Sequence, residues 1–259
     1  MLFDIRGRRK HVVRVVYAIL ALLMGASLFL VVGPFSIGSL VGGGGTTDAS
    51  KVLREQAERT EQKLRRDPEN EDLMAALARA RFNAANSLTE VNSETGTTFF
   101  TPEGRQELEL GIEAWNSYLK QAEEPRTSVA LLASRAYFGL AESSVSLEEA
   151  SENVAGAAKT QRIAAEAQPT INSLTTLAIY DYYAGNFAAG DEAVKEAEAK
   201  APSKAEAKEI GKQMAEYRKR GKAFEAQKKK AAEEEAKFGK ERLQNPLGGL
   251  SGGTGTLGE

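Results

Sequence analysis

The sequence predicts an all-α protein: one membrane-spanning helix, then an α-solenoid of about three helical hairpins, then a long C-terminal helix. Three observations carry this expectation. Residues 15–32 contain no charged side chain. The stretch from 48 to 243 is rich in Ala, Glu, Leu, Lys and Arg, which favour helix, and has few runs of β-branched residues. Downstream of residue 37, Pro68, Pro102, Pro125, Pro169, Pro202 and Pro246 all fall where a helix would start or stop. Proline lacks an amide donor and pushes the preceding residue out of helical geometry, so such spacing marks boundaries.

The uncharged run spans ~27 Å as a helix, and Gly33, Pro34 and Phe35 extend it to the thickness of a bilayer core. Arg6, Arg8, Arg9, Lys10 and Arg14 precede it, and Lys51 is the first basic residue after it. Positive flanks are held in the cytoplasm. The expected order is therefore a cytoplasmic basic segment at 1–14, a transmembrane helix at 15–37 and a Gly-rich linker at 38–48. This makes a single-pass cell-membrane protein with the folded domain outside the cytoplasm. A cleaved secretory signal is the competing reading, with Gly38 and Ser39 as small residues at a cleavage site. A lipoprotein anchor is excluded because the chain has no cysteine, which also removes disulfides and thiolate chemistry.

Helices are expected at 49–66, 71–88, 102–123, 128–143, 147–167, 171–184, 187–200 and 203–243, followed by a disordered Gly-rich tail at 244–259. Thr101-Pro102-Glu103 supplies an N-cap hydroxyl, a proline in the first turn and an acidic neighbour. Ser146 with Glu149, and Ser203 with Glu206, have capping-box spacing. Apolar residues recur at three and four, as in Leu108, Ile112, Trp115 and Leu119. No single hairpin has enough of them for a core, so each must be buried against the next. Residues 89–101 and 142–150 stand outside the pattern as insertions.

Residues 171–202 resemble a tetratricopeptide repeat. Leu174, Leu177 and Ala178 match its first helix, Gly185 and Asn186 its turn, Phe187, Gly190, Val194 and Ala197 its second helix, and Pro202 its close. Asp181 departs from the pattern, standing where an aromatic residue is usual, with Tyr180 and Tyr182 on either side. Leu73, Leu77 and Ala78 with Gly111, Trp115, Tyr118 and Leu119 resemble a second copy. Ala130, Ala133, Ser134 and Tyr137 with Ala157, Gln161, Ala164 and Pro169 resemble a third. The layout also resembles membrane-tethered repeat proteins of the bacterial secretion channel and periplasmic chaperones. The opening Met1-Leu2-Phe3-Asp4 with clustered Arg is similar to anchored repeat proteins of actinobacteria. The repeat resemblance implies a groove for an extended peptide or a partner helix, lined by Asn172, Thr175, Ile179, Tyr182 and Tyr183. The same tyrosines would otherwise fill gaps between stacked helices.

Charge divides the chain. Residues 48–202 carry 16 basic and 26 acidic side chains, a balance of −10, and residues 203–242 carry 13 and 8, a balance of +5. The C-terminal helix offers a basic patch of Arg218, Lys219, Arg220, Lys222, Lys228, Lys229 and Lys230. It suits acidic head groups, an anionic wall polymer or the acidic body of a second copy; nucleic acid is disfavoured on that side of the membrane. Its loose heptad, from Ile210 and Met214 to Phe224 and Phe238, is interrupted at Gly221, Lys228 and Glu235, so a capping helix is expected rather than a coiled coil.

Nothing points to catalysis, a cofactor or a metal. His11, the only histidine, lies in the basic flank. Residues 67–72 are acidic without the order of a calcium loop. Ser117 and Lys120 have Ser-x-x-Lys spacing, but they sit in an amphipathic helix with no Lys-Thr-Gly downstream. Residues 42–45 are glycines without the Lys-Ser or Lys-Thr of a phosphate loop. The expected function is a membrane-tethered adaptor holding a protein partner, in secretion, folding or envelope assembly. A self-assembling envelope scaffold is the alternative, and an enzyme of unknown type a more distant one.

Overall fold

The computed structural model describes residues 47–93 and 96–244, with side chains over 50–93 and 96–234. Within them lie α1 (Thr47–Leu64), α2 (Glu71–Ser87), β1 (Thr89–Val91), β2 (Thr98–Phe100), α3 (Pro102–Leu119), α4 (Thr127–Glu142), α5 (Leu147–Ala167), α6 (Ile171–Tyr183), α7 (Phe187–Ala199) and α8 (Lys204–Gln244). The protein is mostly helical, as its composition requires. The basic segment, the transmembrane run, most of the linker and nearly all of the tail lie outside the described residues. Among those described, no helix is long and apolar enough to cross a membrane.

The helix starts follow the local chemistry. Thr101 Oγ1 accepts from the Gly104 amide at 3.1 Å, with Pro102 opening α3. Ser146 Oγ accepts from the Glu149 amide at 3.1 Å, but the Glu149 carboxylate returns to the Val145 amide instead of completing the box on Ser146. A complete box does form at α6, where Thr170 and Ser173 cap each other. At the other end of α3, Lys120 and Gln121 donate back only three residues, to Ser117 and Tyr118. This tightened turn ends the helix at Leu119, short of the expected residue 123.

Three hairpins, α2–α3, α4–α5 and α6–α7, stack in chain order, with α1 against α2 and α8 against both α6 and α7. The first helices of the first two hairpins, α2 and α4, also touch directly, as α6 does with the C-terminal α8. Each hairpin closes by placing an aromatic ring over a glycine of its second helix. A Cβ on Gly111 would lie 2.5 Å from the Phe82 ring, on Gly156 2.6 Å from Tyr137, and on Gly190 2.5 Å from Tyr182. The core forms two clusters, one from α2 to α5 and one from α4 to α8, with Tyr137 packed against both. Phe138 stacks on Tyr180 at 5.1 Å to carry the packing from α4 to α6.

The insertion at 89–101 is a β-hairpin, which the helical reading missed. Thr89 pairs with Phe100, Glu90 with Phe99 and Val91 with Thr98. Apart from Glu90, its strand residues are β-branched or aromatic, types that fit a pleated surface, and Gly96 supplies a positive φ of 68° in the turn. Phe100 anchors it beside Gly139, where a Cβ would approach the ring to 2.8 Å. The second insertion shrinks to residues 143–146. There Arg105 donates to the Ser143 carbonyl and pairs with Glu149, tying α3 to the start of α5.

Candidate binding surface

The expected groove on α6 is closed. Asn172 is exposed, but Thr175 is 5%, Ile179 6%, Tyr182 2% and Tyr183 1% accessible. The cause is α8, whose Met214, Tyr217 and Phe224 join Ile179, Tyr182 and Tyr183 in one cluster. Tyr183 and Phe224 meet edge to face at 6.0 Å, and Thr175 Oγ1 is turned back to the Ile171 carbonyl. These residues hold α8; they do not offer a surface.

The backbone of α8 comes unusually near. A Cβ on Gly221 would lie 2.4 Å from the Tyr182 carbonyl oxygen. The glycine that interrupts the heptad is thus the contact point between α8 and the end of α6. Polar bonds secure the same junction. Tyr182 donates its hydroxyl to Asp191 Oδ1 at 2.9 Å, and Arg218 donates to both Asp191 oxygens at 2.8 and 3.0 Å while lying over the Phe187 ring. The Arg218 hydrogen bonds, foremost, hold the Asp191 carboxyl below its ordinary range.

This accounts for part of the expected basic patch. Arg218 is engaged with Asp191, Arg220 lies 5.5 Å over the Tyr217 ring, and Lys228 reaches Glu225 at 2.8 Å and Ser151 at 3.2 Å. Lys219, Lys222, Lys229 and Lys230 are exposed, in line with Lys208 and Lys212 along the solvent side of α8. The patch divides into three side chains that fasten the helix and four that face water.

Three buried charges, Arg81, Glu107 and Asp181, escaped sequence reading. Arg81 is 6% accessible and donates to Glu107 at 2.9 Å and to Glu61 at 2.6 Å, joining α2 to α3 and α1. Burial opposes its charge, but Glu107 and then Glu61 outweigh that and keep its pKa above the ordinary value. Asp181 is 0% accessible and accepts from Arg162 at 2.8 and 3.0 Å. Burial pushes its carboxyl above the usual range, with Arg162 pulling the other way. Asp181 receives the arginine of α5, while the ring next to it, Tyr182, lies over Gly190 as Phe82 lies over Gly111.

Ser117 Oγ donates to the Glu113 carbonyl at 3.0 Å, an ordinary helical bond rather than a contact with Lys120. Among the described residues no group of three His, Asp or Glu side chains could hold a metal ion. Glu142, at the end of α4, is pushed up to about 7 by burial. It lines neither of two clefts found on the surface. The larger, about 520 Å³, lies open between Arg162 and the first turn of α7.

The first-helix faces that no other described helix covers are those of α2 and α4. Ala76, Arg79, Asn83 and Asn86 form an exposed stripe on α2, and Ser128 and Arg135 continue it on α4. Arg79 donates to Ser128 across the two helices at 2.9 Å. A cleft of about 250 Å³ opens beside them, with Gln56 and Thr60 of α1 on one wall, alanines 75, 76 and 80 as floor, and Arg79, Asn83 and Arg126 at the rim. This surface carries a different charge from the rest of the stack. The second helices α3, α5 and α7 hold twelve acidic and four basic residues, and the first helices α2, α4 and α6 hold four and three. One of those acids, Asp181, is fully buried and another, Asp72, pairs with Arg126.

Comparison of the chain with protein-family models, curated proteins and solved structures returns no match. The surface therefore has to be interpreted from its own chemistry. The signal that could have located it was in the sequence: aligning α2 with α6 puts Arg79 and Asn83 where α6 has Ile179 and Tyr183.

Proposed function

We propose that the chain is a non-catalytic helical-repeat adaptor that holds a protein partner on the exposed first-helix face of α2 and α4, tethered to the membrane by its apolar N-terminal run. The carrying observation is that contrast within one stack: α8 covers the face of α6, while α2 and α4 present Arg79, Asn83, Ser128 and Arg135 uncovered. A stack of hairpins, each closed by a ring over a glycine, with the first helices of the first two in contact, supports a tetratricopeptide-like solenoid. Such a solenoid turns its first helices toward the concave side. The role in secretion, folding or envelope assembly rests on the expected position outside the cytoplasm.

A photoreactive residue at Asn83 in intact cells, with Lys212 as control, tests this directly. Capture of one defined protein from Asn83 and not from Lys212 supports the adaptor. Capture of the chain itself, chiefly from Lys212, would replace it with the scaffold reading. That second reading draws on the lysines along α8 and requires association that weakens with salt.

A further inference from the structure

We infer that the cleft between α1, α2 and the start of α4 is a recognition site for carboxylate side chains, and that the partner's bound segment is an acidic peptide. The inference rests on the adaptor reading and names the chemistry of its ligand. The cleft's lining brings two guanidiniums and two amides together: Arg79 and Asn83 from α2, Arg126 from the residue before α4, and Gln56 from α1. Arg79 uses one nitrogen on Ser128, and Arg126 one on Asp72. A guanidinium has five N–H donors, so each keeps several for a ligand. Arg126 and Asp72 are largely exposed, which makes that ion pair weak and exchangeable for a better-placed carboxylate.

Size and shape agree with this ligand. At about 250 Å³ the cleft falls below the ~300–1,000 Å³ typical of small-molecule pockets. It accommodates one or two acidic side chains of a longer segment lying on the surface. Ala76 and Ala80 keep the floor low, so a ligand's backbone can approach α2 closely. Arg135 on α4, exposed on the same face, is the next cation along the stripe. Amide donors from Asn83 and Gln56 favour carboxylate oxygens over a purely apolar ligand, since donors that a ligand covers need acceptors in place of water. The acidic second helices repel such a peptide from the opposite face and leave the first-helix face as its docking surface.

The test uses the full chain in detergent and a fluorescein-labelled peptide of alternating Glu and Ala, followed by anisotropy, with the Gln-for-Glu peptide as comparison. Binding of the Glu peptide, at least tenfold tighter than the Gln peptide and weakening with salt, is expected. Arg79→Gln and Arg126→Gln should each lower affinity about tenfold. The pair Lys219→Gln and Lys222→Gln removes twice the charge of either single variant, from α8, and should change it less than twofold. Equal binding of both peptides, no binding of either, or equal loss from the lysine pair would overturn the inference. Melting temperatures of the variants, expected to match the parent, separate loss of the site from loss of the fold. Crosslinking at Asn83 separates this from failure of the adaptor: a captured partner whose linked segment lacks acidic residues leaves the adaptor standing and removes the acidic ligand.

Discussion

Helices α2 and α6 occupy equivalent places in their hairpins, yet one is open where the other is covered. Ala78 and Ala178 are both fully buried, and Phe82 and Tyr182 both lie over a glycine of the next helix. Around these shared positions the chemistry diverges. Arg79 and Asn83 face water, and their counterparts Ile179 and Tyr183 lie under α8. At the next shared position both helices bury a charge, of opposite sign: Arg81 on α2 and Asp181 on α6. The packing positions of a repeat thus fix that two helices join, while the positions between them report whether a third helix lies on top.

The buried charges give the largest way to break this comparison, because their partners differ in access to water. Removing Arg81 strands Glu107, itself 4% accessible, with only Arg54 at 3.3 Å. Arg81→Leu should therefore lower unfolding free energy by about 3–5 kcal/mol, and adding Glu107→Leu should restore most of it. Asp181→Asn leaves Arg162, whose side chain is 41% accessible and can turn to solvent. Its cost should be about 1–2 kcal/mol. Chemical denaturation of the four proteins reads both values; equal costs would show that the exposure of the surviving partner does not set the penalty.

The cover over α6 is tested next. Gly221→Ala forces α8 away from the Tyr182 carbonyl, at an expected cost of about 1–3 kcal/mol. Detachment should be visible as faster amide exchange along α8, with α2 and α3 unchanged. Were α8 to stay protected with an alanine at 221, its close approach to α6 would not be what holds it.

Much of this architecture was legible from sequence, for identifiable reasons. Helix limits came within a few residues because prolines and N-cap hydroxyls act locally, as Thr101 and Ser146 show. The β-hairpin was hidden because three-residue strands give no periodic signal, and only its Thr, Val and Phe content hinted at pairing. The groove on α6 was misplaced because Ile179, Tyr182 and Tyr183 suit a ligand and a covering helix equally well. Reading Gly221 as a defect in a heptad concealed the evidence for that cover, since the defect is a close contact. Buried Arg81 and Asp181 looked like surface charges because their partners, Glu107 and Arg162, lie on other helices.

The junction of α4 with the second core cluster has a pH dependence whose sign can be worked out. Burial raises Glu142 from its ordinary value to about 7, so the folded chain binds the proton more tightly than the unfolded one. Stability should accordingly fall as pH rises from ~4.5 to ~7 and then level off. Glu142→Gln removes this slope and should gain about 1–2 kcal/mol at pH 8, with little change at pH 5. A parent and variant with the same pH profile would mean that Glu142 reaches water in the folded state.

The smallest expected effect is the most informative about the open face. Arg79→Ile with Asn83→Tyr gives α2 the side chains that α6 uses beneath α8. Where a covering helix is present, burying such residues is worth about 1.5–3 kcal/mol each. On α2 nothing in the described chain supplies the cover, so monomer stability should change by no more than about 0.5 kcal/mol. The new apolar stripe should instead promote concentration-dependent association, seen by sedimentation, and should lower affinity for the acidic peptide without altering the helix content. A gain in monomer stability approaching that of a buried pair would mean that part of the same chain lies over α2, leaving α2 and α6 alike in having a cover.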